Sequence, residues 1–138
     1  MIVIDTSALI AMTFGEATAP ALRGRLGAEV ERLMSPASVV EFGTIVADRL
    51  SVPVQQVLDV VWDMLDEAGI RVAVLDEAQA RMALEARIRF GKGFGARAKL
   101  NFGDSFAYAL AKSLNAPLLF IGEDFHHTDI TPALPPAP

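Results

Sequence analysis

The chain has 138 residues and is 52% hydrophobic, enough for one domain to bury most of its apolar surface without disulfides or a structural metal. Cysteine is absent, which excludes a disulfide framework, a thiolate metal site and a cysteine nucleophile. The net charge of −5 argues against a nucleic-acid binder that is basic over its whole surface.

Met1 to Ile4 runs straight into Asp5 with neither a basic leader nor a long apolar region, so no export is expected. No apolar run approaches the roughly 18 residues that span a bilayer, and a soluble, cytoplasmic protein without membrane contact follows as the expectation. Ile2-Val3-Ile4 reads as a short strand ended by Asp-Thr-Ser. Ala8, Leu9, Ala11 and Met12 then continue at helical spacing up to Gly15. Ala17 to Val30 reads as a second helix with Pro20 near its start. Residues 32–34 suit a strand, and Ser35-Pro36 opens a helix carrying Val39, Val40, Phe42, Ile45, Val46 and Leu50. From Pro53 a further helix bears the stripe Val57, Val60, Val61, Met64 and Leu65 and ends at Gly69.

Residues 70–75 alternate and are rich in β-branched types, predicting a strand, and a helix follows from Asp76 through Ile88. Gly91, Gly93 and Gly95 make the next stretch irregular. Five of the twelve cations, Arg87, Arg89, Lys92, Arg97 and Lys99, lie between Ala86 and Gly103, where there is no acidic residue. Such a segment could contact a phosphate backbone, although a solvated helix end and loop would look the same. Asn101 caps a helix through Leu114, residues 118–121 give a last buried strand, and the proline-rich stretch 132–138 is expected to be a disordered tail. Strands separated by helices predict a parallel sheet covered on both faces, whose ligands gather beyond the carboxyl ends of the strands.

Four carboxylates can reach that rim. Asp5 follows the first strand and Asp124 the last, while Glu41 and Asp104 fall early in the helices that start near Ser35 and Asn101. Each has a plain explanation as a helix cap: Asp5 and Asp124 at helix starts, Asp104 as the partner of Asn101, and Glu41 in a Ser38-x-x-Glu41 pattern. Capping does not explain why all four gather at one end. Converging carboxylates repel unless a cation compensates, and oxygen-only donors suit magnesium, with manganese as a substitute. His126 and His127 are adjacent, poorly spaced to share a metal, and are read as surface or packing residues.

The blocks Met-Ile-Val-Ile-Asp-Thr-Ser-Ala-Leu at 1–9, Val-Val-Glu at 39–41, Leu-Asn-Phe-Gly-Asp-Ser-Phe-Ala-Tyr-Ala-Leu-Ala at 100–111 and Gly-Glu-Asp-Phe at 122–125 occur in the order seen in PIN-domain ribonucleases. The chain resembles in particular the VapC toxins of bacterial toxin–antitoxin modules. That resemblance implies a three-layer α/β/α fold around a parallel sheet of about four to five strands, with one nuclease domain over residues 1–131. It implies a magnesium-dependent endoribonuclease with Asp5, Glu41, Asp104 and Asp124 as the acidic quartet, Asp5 and Asp104 as principal metal ligands, and Thr6 or Ser7 as the accompanying hydroxyl. Glu123, beside Asp124, is accessory. Arg87, Arg89, Lys92, Arg97 and Lys99 are the candidate RNA contacts, although a His-Pro pair often found in this loop of similar toxins is missing. A cognate antitoxin and a homodimer are implied in the same way. A non-catalytic interaction protein, docking through residues 37–50 and 54–66, is the alternative. An aspartate-based phosphotransfer protein fits less well, because the second aspartate it needs two residues after Asp5 is replaced by Ser7.

Overall fold

In a computed structural model, residues 1–136 are described. The elements run β1 (Ile2–Ile4), α1 (Thr6–Thr13), α2 (Ala19–Gly27), β2 (Arg32–Met34), α3 (Pro36–Leu50), α4 (Val54–Glu67), β3 (Ile70–Val72), α5 (Glu77–Phe90), α6 (Phe102–Leu114) and β4 (Leu118–Leu119), followed by a 3-10 turn (Asp124–His127). The four strands are parallel in the order β3-β2-β1-β4, with Val3 opposite both Leu33 and Leu118. Alternation of side chains along each strand builds two cores. Ile2, Ile4, Met34 and Leu119 face α1 to α4, while Val3, Leu33 and Leu118 face the opposite layer with Ala86 of α5 and Ala107 and Leu110 of α6. The result is the three-layer α/β/α arrangement with a four-strand sheet.

The chain leaves β1 toward β2 and β3 on one side and places β4 on the other, so the strand order reverses between β1 and β4. A crevice therefore opens beyond the carboxyl ends of these two strands. Asp5 closes β1 at that edge, and its N–H donates to the carbonyl of Leu119.

Several boundaries are shorter than the sequence predicts. β3 ends at Val72 rather than continuing to Leu75, since Val74 and Leu75 lie exposed beyond the last partner on β2 and the Val74 carbonyl accepts from Gln79 instead. β4 stops at Leu119, because β1 has by then turned into α1 and the N–H of Ile121 is taken by the Ser7 hydroxyl. α2 begins at Ala19 with Pro20 in its first turn and ends at Gly27, inside the expected 17–30.

The expected disorder of 132–138 fails for its first part. Leu118 donates to the carbonyl of Thr131 and accepts from the N–H of Ala133, in a parallel bridge centred on Pro132. A parallel bridge draws on the groups flanking the opposed residue, so the missing N–H of Pro132 costs nothing. Arg25 also holds the Ala133 carbonyl at 3.0 Å, and Ala133 and Leu134 pack on the core. The domain thus extends beyond residue 131. For Ala137 and Pro138 the expectation lies outside the described residues.

Candidate active site

Asp5 is the N-cap of α1 and is 3% exposed. Its Oδ2 accepts from the N–H of Ser7 at 3.0 Å and from Ser7 Oγ at 2.5 Å. Ser7 Oγ in turn accepts from the Ile121 N–H at 3.0 Å, so one hydroxyl joins the ends of β1 and β4 across the crevice. The other oxygen, Oδ1, is buried without a hydrogen-bond partner. Burial, and to a lesser degree Glu41, raise the Asp5 carboxyl above its ordinary range, against the lowering effect of the Ser7 hydrogen bonds.

Of the two hydroxyls named from the sequence, Ser7 is therefore the one on the Asp5 carboxylate. Thr6 points its buried Oγ1 to the Ser38 carbonyl at 3.1 Å and ties α1 to α3.

Asp104 lies in the first turn of α6 and forms a reciprocal capping box. Its N–H donates to Asn101 Oδ1, and its Oδ2 accepts from the Asn101 N–H, both at 2.9 Å. Its carboxyl is pushed up to about 7, first by desolvation, then by the charge of Asp5, with smaller contributions from Glu41 and Asp124. Asp104 thus lies within reach of the charges of Asp5, Glu41 and Asp124.

Glu41 reaches the site by packing. A Cβ on Gly103 would fall 2.8 Å from Glu41 Cδ, closer than atoms tolerate, so the Glu41 carboxylate rests against the bare Cα of Gly103 where α3 crosses the start of α6. Glu41 does not belong to a capping box. The N-cap of α3 is Ser35, whose hydroxyl makes no capping bond, and Ser38 Oγ is buried without a partner. Asp124, whose charge reaches Asp104, is exposed at the start of the 3-10 turn, and its neighbour Glu123 is exposed as well.

Capping and ligation are compatible here. Asp5 and Asp104 each commit Oδ2 to a helix start and make no hydrogen bond through Oδ1 among the described residues. Among these residues, no group of three or more His, Asp or Glu side chains already forms a shell that would hold a metal ion. Two carboxylate oxygens with water in the other positions is nevertheless a usual arrangement for magnesium, and the orphaned Asp5 Oδ1 beside a repelled Asp104 fits such an ion.

The basic residues divide. Arg87 donates to the Leu100 carbonyl and lies over Phe94, and Arg89 pairs with Glu85 at 3.3 Å while covering Phe90. Arg87 is half-buried on the loop backbone, whereas Arg89 stays exposed in a surface pair. Lys92, Arg97 and Lys99 are exposed and enter no ion pair among the described residues. The glycine stretch they occupy is closed at its base by hydrogen bonds from Leu100 to Phe90 and from Lys92 to Leu100, which lead directly into the Asn101 cap. His126 packs edge-on against Phe120 at 4.8 Å, and His127 is exposed.

The sequence pattern does not single out Gly103 or Asn101 as site residues. Asn101 carries a signal, the Asn-x-x-Asp spacing of a capping box. Gly103 carries none, because its role depends on a helix crossing.

Residues 2–130 match the PIN domain family. Ribonuclease VapC30 of Mycobacterium tuberculosis is 45% identical over 134 residues, covering 96% of this chain and 99% of that protein. Ribonuclease VapC42 of the same organism is 40% identical over 131 residues, covering 95% and 98%. Among solved structures, Mycobacterium tuberculosis VapC20, described as a toxin that cleaves the sarcin-ricin loop, superposes with a TM-score of 0.74 at 15% identity, over 99% of this chain and 100% of that one.

Proposed function

The chain belongs to the PIN-domain family and its VapC ribonuclease branch, and from that premise we propose that Asp5, Glu41, Asp104 and Asp124 form its hydrolytic centre, with Asp5 and Asp104 holding a magnesium ion that manganese can replace. The observation that carries this reading is the buried Asp5 Oδ1 with no partner, in the neighbourhood of Asp104, whose carboxyl is pushed up to about 7 by desolvation and by the charge of Asp5. Two acidic groups are assembled at an electrostatic cost that a hard cation relieves.

When bound, such an ion polarises a phosphodiester and lowers the pKa of a coordinated water. The protein supplies the rest. Ser7 and Asn101 fix one oxygen of Asp5 and of Asp104, turning the other oxygen to the reaction. Glu41, held against Gly103, and Asp124, on the exposed 3-10 turn, would orient the attacking water and accept its proton, with Glu123 accessory. Arg89, Lys92, Arg97 and Lys99, all exposed, offer phosphate contacts on the approach, whereas Arg87 holds the Leu100 carbonyl of the loop.

The substrate is RNA, the protein acts in the cytoplasm, and its partners are a cognate antitoxin and a second copy of the chain. No described helix is long and apolar enough to cross a membrane. Val54, Leu58 and Trp62 leave an exposed apolar stripe on α4 that suits a protein partner. Incubation of total RNA with the purified chain, in EDTA and after restoring Mg2+, tests the reading. Cleavage should depend on the metal and vanish in D5N, and metal-independent cleavage or an active D5N would overturn it.

A further inference from the structure

Phe102 is the first residue of α6, two positions before Asp104, and it is 71% exposed. An aromatic ring in that position gains nothing from burial, yet it is held in place: Phe106, one turn on, meets it edge-on with centroids 4.9 Å apart. The two rings form one side of a groove of about 330 Å³ that also takes in Ala37, Val40, Glu41 and Asn101. Val40 is 70% exposed. Glu41 belongs to the acidic rim, so the groove and the proposed hydrolytic centre share a wall.

Charge distinguishes this groove from the other apolar patches. Arg97 and Lys99 stand exposed a few residues upstream of Phe102, on the stretch that runs into the Asn101 cap. An exposed ring that shares a groove with Glu41, on a chain segment entered through two exposed cations, suits an unpaired nucleotide, whose phosphate and base need different surfaces. A second copy of the chain would instead favour a groove core depleted in charge, which Glu41 spoils. Asn101 commits its Oδ1 to Asp104, while its NH2 has no partner among the described residues and can donate to a base edge.

We propose that Phe102, backed by Phe106, is a stacking platform for one unpaired base of the RNA next to the cleaved phosphate, so that the enzyme selects single-stranded sites through this groove. The proposal rests on the ribonuclease reading, and its test separates the two. The probe is a fluorescein-labelled single-stranded oligoribonucleotide of roughly 12 nucleotides, with a matching set carrying one abasic position each. Binding is measured by anisotropy in a D104N background, where the probe survives.

F102A and F102L should each weaken binding about tenfold, and F102W should restore it, because stacking needs an aromatic face and not merely an apolar one. The salt dependence should stay unchanged in F102A, since no phosphate contact is lost. One abasic position should weaken binding to the Phe102 protein but not to F102A. Equal affinity of F102A, F102L and the Phe102 protein would overturn the platform while leaving the ribonuclease reading standing, and a simultaneous loss of self-association in F102A would assign the groove to a second copy. Failure of the Phe102 protein to bind any probe would overturn both.

Discussion

The acidic rim and the basic glycine stretch are both charged and adjoin each other, yet they are built oppositely. Three of the four rim carboxylates are drawn in by folding: Asp5 is 3% exposed, Glu41 sits against Gly103, and Asp104 is pushed up to about 7, while Asp124 stays exposed. The free cations Lys92, Arg97 and Lys99 stand in water at no such cost. Like charges that are forced together store repulsion and specify geometry. Like charges that are spread over a solvated surface act through their sum and tolerate exchange.

The sharpest break of this contrast comes from single substitutions in the rim. D104N should reduce RNA cleavage by at least about a hundredfold in a steady-state assay, since losing the proposed metal contact would cost several kcal/mol and each 1.4 kcal/mol is tenfold. The fold, followed by circular dichroism, should be kept because Asn101 still caps α6 and an amide oxygen at 104 can still accept from its N–H. A D104N protein of parental activity would remove the distinction between the regions.

G103A tests whether the geometry matters as much as the charge. A methyl at this position must displace the Glu41 carboxylate, the mobile end of its side chain. The unfolding midpoint should therefore change little, while cleavage falls in a steady-state assay because the carboxylate has moved. A smaller effect is expected on the basic side. R97E combined with K99E should weaken RNA binding and lower the slope of affinity against salt by about 2, without changing stability. R87E should behave differently from this pair, losing stability because Arg87 holds the Leu100 carbonyl.

The contrast also describes what can be read in the sequence. The strands, the helix order and the capping of Asp5 and Asp104 follow from local periodicity and spacing, so the residue pattern carries them by itself. The ends of β3 and β4 are not legible there, because a strand stops where its neighbour stops, and the neighbour's end is a tertiary fact. Pro132 misleads for a similar reason: its composition suggests a tail, whereas the bridge to Leu118 uses groups on Thr131 and Ala133. At the site, the pattern cannot choose between Thr6 and Ser7, one of which bonds to the Ser38 carbonyl and the other to the Asp5 carboxylate. Nor can it find Gly103, whose function is to be small at a crossing. In the basic stretch it counts five cations alike, although Arg87 is committed to the Leu100 carbonyl.

The central claim is that the rim is electrostatically unfavourable without a cation, and thermal unfolding tests it most directly. Asp104 has its carboxyl at about 7 in the fold against 3.8 ordinarily, so the folded protein holds a proton that the unfolded chain releases. The stability from this group is full below 3.8, falls as pH rises toward about 7, and is lost above it. At pH near 8, Mg2+ should raise the midpoint of the parent, whereas D104N without metal should unfold roughly 3–6 °C higher than the metal-free parent and respond little to Mg2+. Near pH 4 the advantage of D104N should disappear. A parent protein indifferent to Mg2+, with D104N no more stable than it at either pH, would contradict the claim.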